Sequence, residues 1–321
     1  MRALRSDMIL TAMAVIVAGM SFTSCIYDYD SCDDIVMRRI KIVFDWNKAP
    51  SAGPDGMAVL FFPIGKGRIW RFDIASNKEG YVSVPSGSYR MLVYNNDTDD
   101  ILFRDENDYE NYDAYTDEFR VLPRQFADDS INIDVNNLHP CPEMLWTATQ
   151  PRVDIGTDRI EYGDTVSDDE IVCHPDELCA IYNYEIRNVK HLEGIEYMVA
   201  VMSGMSPSVH MATGILGRDD VVLPVEVVIS NGNMITGQFC TFGRTGDVKA
   251  PNILNLYVGL VDGRKFRYRF DVTRQVLAAR DPRNVNVVID NFDLPESDSD
   301  QQGPLDVSVD GWTTIVVEYE T

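Results

Sequence analysis

Positive charge is scarce in this chain: 28 lysines and arginines stand against 51 aspartates and glutamates, a formal net charge of −23 over 321 residues. Such a surface repels phosphate backbones, which argues against nucleic acid as a partner. Histidine is rarer still, with four copies at His139, His174, His191 and His210. Catalytic signatures are missing as well: there is no Gly-x-Ser-x-Gly elbow, no His-Glu-x-x-His and no phosphate loop closing on Gly-Lys-Ser/Thr. Gly65-Lys66-Gly67 begins like a nucleotide loop, but Arg68-Ile69-Trp70 follows where a third glycine is needed, so it reads as a hairpin turn. No carboxylate pair stands out for glycoside hydrolysis. The expectation is a protein that is not an enzyme and holds no cofactor or metal.

Long apolar runs are equally few. Met8 to Met20 is apolar apart from Thr11 and Gly19, well short of the roughly 20 residues that cross a bilayer. It follows the positive start Arg2 and Arg5 and precedes Ser21-Phe22-Thr23-Ser24-Cys25, where small residues lead into a cysteine. This arrangement resembles a bacterial lipobox, which implies cleavage before Cys25 and acylation of its thiol. The alternative is a signal cut elsewhere, with Cys25 an ordinary thiol. The expected organisation is a lipoprotein signal peptide over 1–24, an acidic tether over 25–36 and two domains, 37–143 and 144–321.

Removing 24 of the 321 residues leaves 297, enough for two domains. With Cys25 acylated, Cys32, Cys141, Cys173, Cys179 and Cys240 remain, an odd number, so at least one thiol is free or pairs outside the chain. Cys173 and Cys179 are near enough in sequence for a local disulfide, while Cys240 in Gln238-Phe239-Cys240-Thr241-Phe242 reads as a buried strand thiol.

The dominant period from Met37 onward is two, the spacing at which side chains alternate across a sheet. Ile40, Ile42, Phe44 and Trp46 share one face, and Trp70, Phe72 and Ile74 alternate with Arg71 and Asp73. Met57 to Phe62 is continuously apolar, as in a strand covered on both sides. Val82 and Val84 lead through the turn Pro85-Ser86-Gly87 to Tyr89, Met91 and Val93. Residues 95 to 117 read as a long acidic loop rich in tyrosine, followed by strand-like Phe119 to Leu122 and Ile131 to Val135 and a hinge at His139-Pro140-Cys141-Pro142. In the second half, Val225 to Ser230, Asn231-Gly232 and Met234 to Phe239 form a hairpin signal. Asp262-Gly263 marks another, between Leu254–Leu260 and Phe266–Val272, whose opposite face carries Lys265, Arg267 and Arg269. Thr273 is placed to cap a short helix through Ala279, and Val285 to Ile289 and Trp312 to Tyr319 are final strands. Short strands punctuated by turns specify an all-β fold of sandwich type.

Two ligand readings compete with plainer ones. Asn95 to Asp100 with Glu106 echoes a calcium loop but has Asp100 at the sixth, glycine position, and reads otherwise as a solvated loop. Cys173, His174 and Cys179 offer three zinc ligands without a fourth at a fitting spacing. Tyr109, Tyr112 and Tyr115 recur at intervals of three, either a stacking surface for sugar rings or aromatic packing of a loop onto a sandwich.

Several segments recur in a recognisable order: Thr23-Ser24-Cys25, Gly56-Met57, Pro85-Ser86-Gly87-Ser88-Tyr89 leading to Tyr94-Asn95-Asn96-Asp97, Ser203-Gly204-Met205, Thr241-Phe242-Gly243, Asp262-Gly263 and Phe270-Asp271-Val272-Thr273. Together they resemble the fimbrillin-like lipoproteins of Bacteroides and relatives, including a family of unknown function and the minor-fimbrium anchor subunits. The resemblance implies two tandem transthyretin-like β-sandwich domains and an outer-membrane lipoprotein that acts as a fimbrial anchor or accessory subunit in cell adhesion. It implies strand exchange with other pilus subunits, for which Ile40, Ile42, Phe44 and Trp46 in the first strand and Ile315, Val317 and Tyr319 in the last are the candidate elements. Arg38-Arg39 matches the kind of site cut in major shaft subunits, but a cut there would release the domain from its lipid, so the first strand is expected to stay. In that group, acidic residues after the lipidated cysteine, here Asp28, Asp30, Asp33 and Asp34, resemble the signal for display on the cell exterior; the plain reading is a solvated spacer. The alternative function is a glycan-binding accessory lipoprotein of a carbohydrate-uptake system.

Overall fold

The computed structural model describes residues 37–123, 126, 136–156, 169–297 and 312–317. The first half begins with β1 (Met37–Phe44), β2 (Met57–Pro63), β3 (Trp70–Ile74), β4 (Glu79–Pro85) and β5 (Gly87–Asn95). It continues with β6 (Leu102–Arg104), β7 (Asp113–Tyr115), β8 (Trp146–Ile155), β9 (Asp169–Cys173) and β10 (Asp176–Glu177). A three-stranded sheet, β4-β1-β9, faces a five-stranded sheet, β10-β8-β5-β2-β3. Period-two patterning makes this possible, since β1 turns Ile40, Ile42 and Phe44 inward against Met57, Val59, Phe61, Met91 and Val93. β2 is buried on both faces, which is why its sequence is continuously apolar: Ala58, Leu60 and Phe62 pack on a second cluster behind the sheet with Leu92, Tyr94, Tyr112 and Ala114.

Pro85-Ser86-Gly87 is a turn between layers. β4 and β5 belong to different sheets, so the turn carries the chain from one layer to the other, and Tyr89 Oη fixes the corner by donating to the Pro85 carbonyl at 2.9 Å. The two sheets also run past residues 143 and 144. β8 pairs antiparallel with β5 and β9 pairs parallel with β1, so residues on both sides of that point share the same two sheets through Cys173.

The second half supplies β11 (Ala180–Arg187), β12 (Ile195–Met205), β13 (Ser208–His210), β14 (Val221–Val225), β15 (Val228–Ser230) and β16 (Met234–Thr241). It ends with β17 (Ile253–Leu260), β18 (Lys265–Asp271), α1 (Thr273–Ala278), β19 (Asn284–Asp290) and β20 (Trp312–Val317). A four-stranded sheet, β15-β16-β11-β19, packs on a five-stranded sheet, β14-β12-β17-β18-β20. Between them lies the largest core, with Tyr184, Ile186, Met202, Leu254, Leu256, Tyr268 and Phe270. The far face of the five-stranded sheet is partly covered by Phe126 and Leu138, which pack on Val199, Val201 and Tyr257.

Local signals set the turns. Asn231 and Gly232 both take positive φ, 52° and 72°, but the turn between β15 and β16 has three residues rather than two, since Ser230 pairs with Met234 and Asn233 joins the loop. Thr273 is not the cap of α1: Val272 holds that position without a side-chain cap, and Asp271 accepts from both the Thr273 amide at 3.0 Å and its hydroxyl at 2.6 Å. Phe119 to Leu122 forms no strand; the Phe119 amide donates to the Leu138 carbonyl at 3.0 Å instead. The expected strand at Ile131 to Val135 lies outside the described residues. The acidic loop contributes β6 and β7, which join β13 in a small sheet of order β13-β7-β6 built from both halves of the chain.

Candidate assembly edge

β1 and β20 are the two strands nominated for exchange, and the sheets treat them differently. β1 lies in the middle of its sheet, antiparallel to β4 and parallel to β9. Ile40, Ile42 and Phe44 are fully buried, and on the outward side Lys41 bridges Glu79 of β4 at 2.9 Å and Glu170 of β9 at 3.4 Å. The Glu79 hydrogen bond leads the effects that hold the Lys41 ammonium above the ordinary lysine value, against a smaller opposing effect of burial. Trp46 lies beyond the end of β1, its indole N–H donating to the Asn77 carbonyl at 2.6 Å and its ring edge-on to Trp146 at 6.1 Å. Arg38-Arg39 is inside the β1–β4 ladder, with Arg38 on Asp169 at 3.3 Å and Arg39 over the Tyr81 ring at 4.1 Å.

β20 is an edge strand. Among the described residues it pairs with β18 alone, in parallel, from Trp312 opposite Lys265 to Val317 opposite Phe270. Ile315 and Val317 turn toward the second core, Val316 is 63% exposed, and Trp312 packs edge-on against Tyr257 at 5.2 Å. Among the described residues, no strand occupies its other side. An edge of this kind presents main-chain donors and acceptors to another strand. β18 behind it lines up Phe266, Tyr268 and Phe270 on the core face, and burial pushes the Tyr268 hydroxyl up to about 12. Cys25 and Tyr319 lie outside the described residues.

The other nominated residues resolve as packing. Cys173 and Cys179 carry free thiols and are not joined: Cys173 packs in the core between the first two sheets, Cys179 in the cluster behind the five-stranded one. The intervening segment holds β10 and steps from one face of the sheet to the other, which separates two residues close in sequence. Burial pushes the Cys173 thiol up to about 12. Among the described residues, no three His, Cys, Asp or Glu side chains converge as a metal site. In the calcium-like loop, Asp97 accepts from the Asp55 amide at 2.9 Å and from Asn95 at 2.7 Å. Glu143 takes the Asp99 and Asp100 amides at 2.7 and 3.0 Å, so backbone amides claim carboxylates that a cation would need. Tyr112 is fully buried with its hydroxyl 2.8 Å from that of Tyr94, Tyr109 leans on Phe62 and Tyr115 lies under Arg104. The three tyrosines therefore form no common stacking surface.

Sequence reasoning missed the sheet that joins the two halves. Its strands are three residues long, too short for a periodic signal.

Comparison with known proteins supports this architecture. Over 89 residues the chain is 37% identical to a protein of Bacteroides ovatus described as a fimbrium anchoring subunit, Fim4B; the match spans 27% of this chain and 26% of that protein. A crystal structure of a protein from Bacteroides ovatus described as an adhesin has the same fold, with a TM-score of 0.65 and 20% identity over 83% of this chain and 95% of that one. A second Bacteroides ovatus protein described as an adhesin gives a TM-score of 0.51 and 10% identity over 83% and 91% of the two chains. The all-β sandwich architecture read from the sequence is the one observed. The family described as a domain of unknown function, DUF5119, matches residues 24–226, and the chain belongs to it.

Proposed function

We propose that this protein is an outer-membrane lipoprotein, held at the cell surface through acyl chains on Cys25, that serves as a fimbrial anchor or accessory subunit with no catalytic role. The observation that carries this reading is β20: an edge strand held by a single parallel ladder, with its outer side free among the described residues. The name of the relative that shares 37% identity points the same way. Of the two nominated strands, β20 is the one to exchange, because withdrawing β1 breaks two ladders and empties a core while withdrawing β20 breaks one.

In this reading a strand of a neighbouring subunit pairs along the β20 edge, or takes its place on β18. Main-chain hydrogen bonds supply the affinity, and alternate side chains entering the positions of Ile315 and Val317 supply the selectivity. The lipid keeps the subunit at the membrane and fixes the base of the fibre. Several acyl chains are needed, because one gives only reversible attachment.

The deciding experiment is deletion of the gene with electron microscopy of the cell surface, where fibres should be lost, shed or altered in length. Fibres unchanged in number and length would remove the reading. On the purified mature chain, loss of residues 312–321 should abolish or alter capture of a fimbrial subunit. Mass spectrometry should find Cys25 acylated at the new N-terminus.

A further inference from the structure

Several described arginines of this acidic chain lie against a carboxylate: Arg38 on Asp169, Arg71 on Asp73 and Glu106, Arg90 on Glu110, Arg104 on Asp113. Arg267 and Arg269 do not. β18 sends both to the outer face of the second five-stranded sheet, two residues apart and so about 6.8 Å along the strand. Among the described residues neither has an acidic partner. Arg267 is held in place instead. Its Nε and Nη2 both donate to Asn255 Oδ1 at 3.1 Å, and its guanidinium sits 5.4 Å from the Tyr257 ring centre. Asn255 is itself buried, so the fork is fixed by a rigid strand neighbour and keeps Nη1 for a ligand. Arg269 is exposed, and among the described residues its side chain makes no hydrogen bond or ion pair.

These two cations wall a groove of about 240 Å3 whose other polar groups include the Ser203 hydroxyl and the Asn136 amide. The floor is Tyr257 and Asn255, both buried. Two adjacent guanidinium groups without a carboxylate call for an anion, and a planar carboxylate matches the Arg fork. The groove runs over the middle of a sheet, where β12, β17 and β18 spend their main-chain groups on one another, so a peptide finds no strand edge here. Hydroxyl and amide groups beside the cations, in a space the size of one pyranose ring, suit a ligand that carries hydroxyls as well as an acid group.

We propose that this groove binds a hexuronate unit of a glycan whose other sugars are largely neutral, since the net charge of the chain repels a polyanion, with Arg267 and Arg269 taking the carboxylate and Ser203 and Asn136 the ring hydroxyls. The inference does not rest on the fimbrial reading, and either can fail without the other.

The test is calorimetric titration of the mature chain with digalacturonate, with neutral digalactose and with the dipeptide Asp-Asp at the same ionic strength. Digalacturonate should bind saturably, and both other probes at least ten-fold more weakly. Arg269→Gln should weaken digalacturonate at least ten-fold with an unchanged melting temperature, since that side chain holds nothing in place. Arg267→Lys, which keeps the charge and loses the fork, should also weaken it several-fold. Arg280→Gln, an exposed arginine elsewhere, controls for net charge and should leave it unchanged. Absence of saturable binding, equal affinity for Asp-Asp, or an equal loss in Arg280→Gln and Arg269→Gln would each overturn the proposal.

Discussion

β1 and β20 both turn apolar residues at alternate positions toward a core, Ile40, Ile42 and Phe44 in one and Ile315 and Val317 in the other, and meet opposite fates. β1 has a neighbour on each side and turns its alternate residues into a sealed core. β20 has one neighbour among the described residues, leaves Val316 63% exposed and covers its core only partly. Alternation tells a strand which face to bury. It carries no information about how many sides will be hydrogen-bonded, and that second property decides whether a strand is fixed or exchangeable.

The largest expected effect lies in the β1 core. Ile42→Ala should cost about 2–5 kcal/mol in urea unfolding, the range for a fully buried isoleucine, and an effect below about 1 kcal/mol would show that β1 is loosely held. The next difference is in alkali. Cys173, opposite Phe44 in the β1–β9 ladder, is raised by burial from 9.0 to about 12. Its protonated form is favoured in the folded state, so its contribution is fully present below pH 9 and is lost as pH rises toward 12. Tyr268, opposite Ile315 in the β18–β20 ladder, is raised by burial from 10.0 to about 12 and loses its contribution over the higher, narrower window. Stability should therefore fall by up to about 1.4 kcal/mol per pH unit for each group, with β1 loosening before β20; Cys141, raised to about 12 by burial against the second core, acts at β14 rather than β20. Hydrogen exchange resolved by segment, followed from pH 8.5 upward, reads this order, and simultaneous loosening of both strands would contradict it.

Smaller still is Ile315→Ala, expected to cost about 1 kcal/mol because that side chain is only partly buried. Its hydrogen-exchange signature should be confined to β18 and β20. Val316→Ala should change unfolding by no more than about 0.5 kcal/mol while altering capture of a partner strand, if the exposed edge is where the partner sits. A Val316 effect on stability as large as that of Ile42 would erase the distinction between the two strands.

Much of the fold could be read from residues alone. The alternation in β1, β3 and β18, the doubly covered run of β2 and the Asn231-Gly232 turn all have local causes and appear where expected. Pairing partners did not. Nothing in Trp146 to Ile155 announces that it belongs beside β5, because that choice depends on which apolar faces are left open by strands far away. Cys173 and Cys179 show the same limit from the other side: six positions apart in sequence, they end in different cores because the chain changes faces between them. Of the candidate site, the last strand was visible in its β-branched residues. That β20 is an edge, and that Arg267 and Arg269 go unanswered by acids, follows only from the assembled sheets.

The small sheet β13-β7-β6 has a bearing on how the protein is made. The layer behind β2 is finished by Val209, Met211 and Phe242, residues that come late in the chain, while the surface they cover is complete by Ala114. A polypeptide made from its N-terminus onward leaves this apolar surface uncovered until 95 to 128 further residues have followed. The early strands must wait for the late ones, and during that interval their apolar layer is the natural client of whatever escorts unfinished chains.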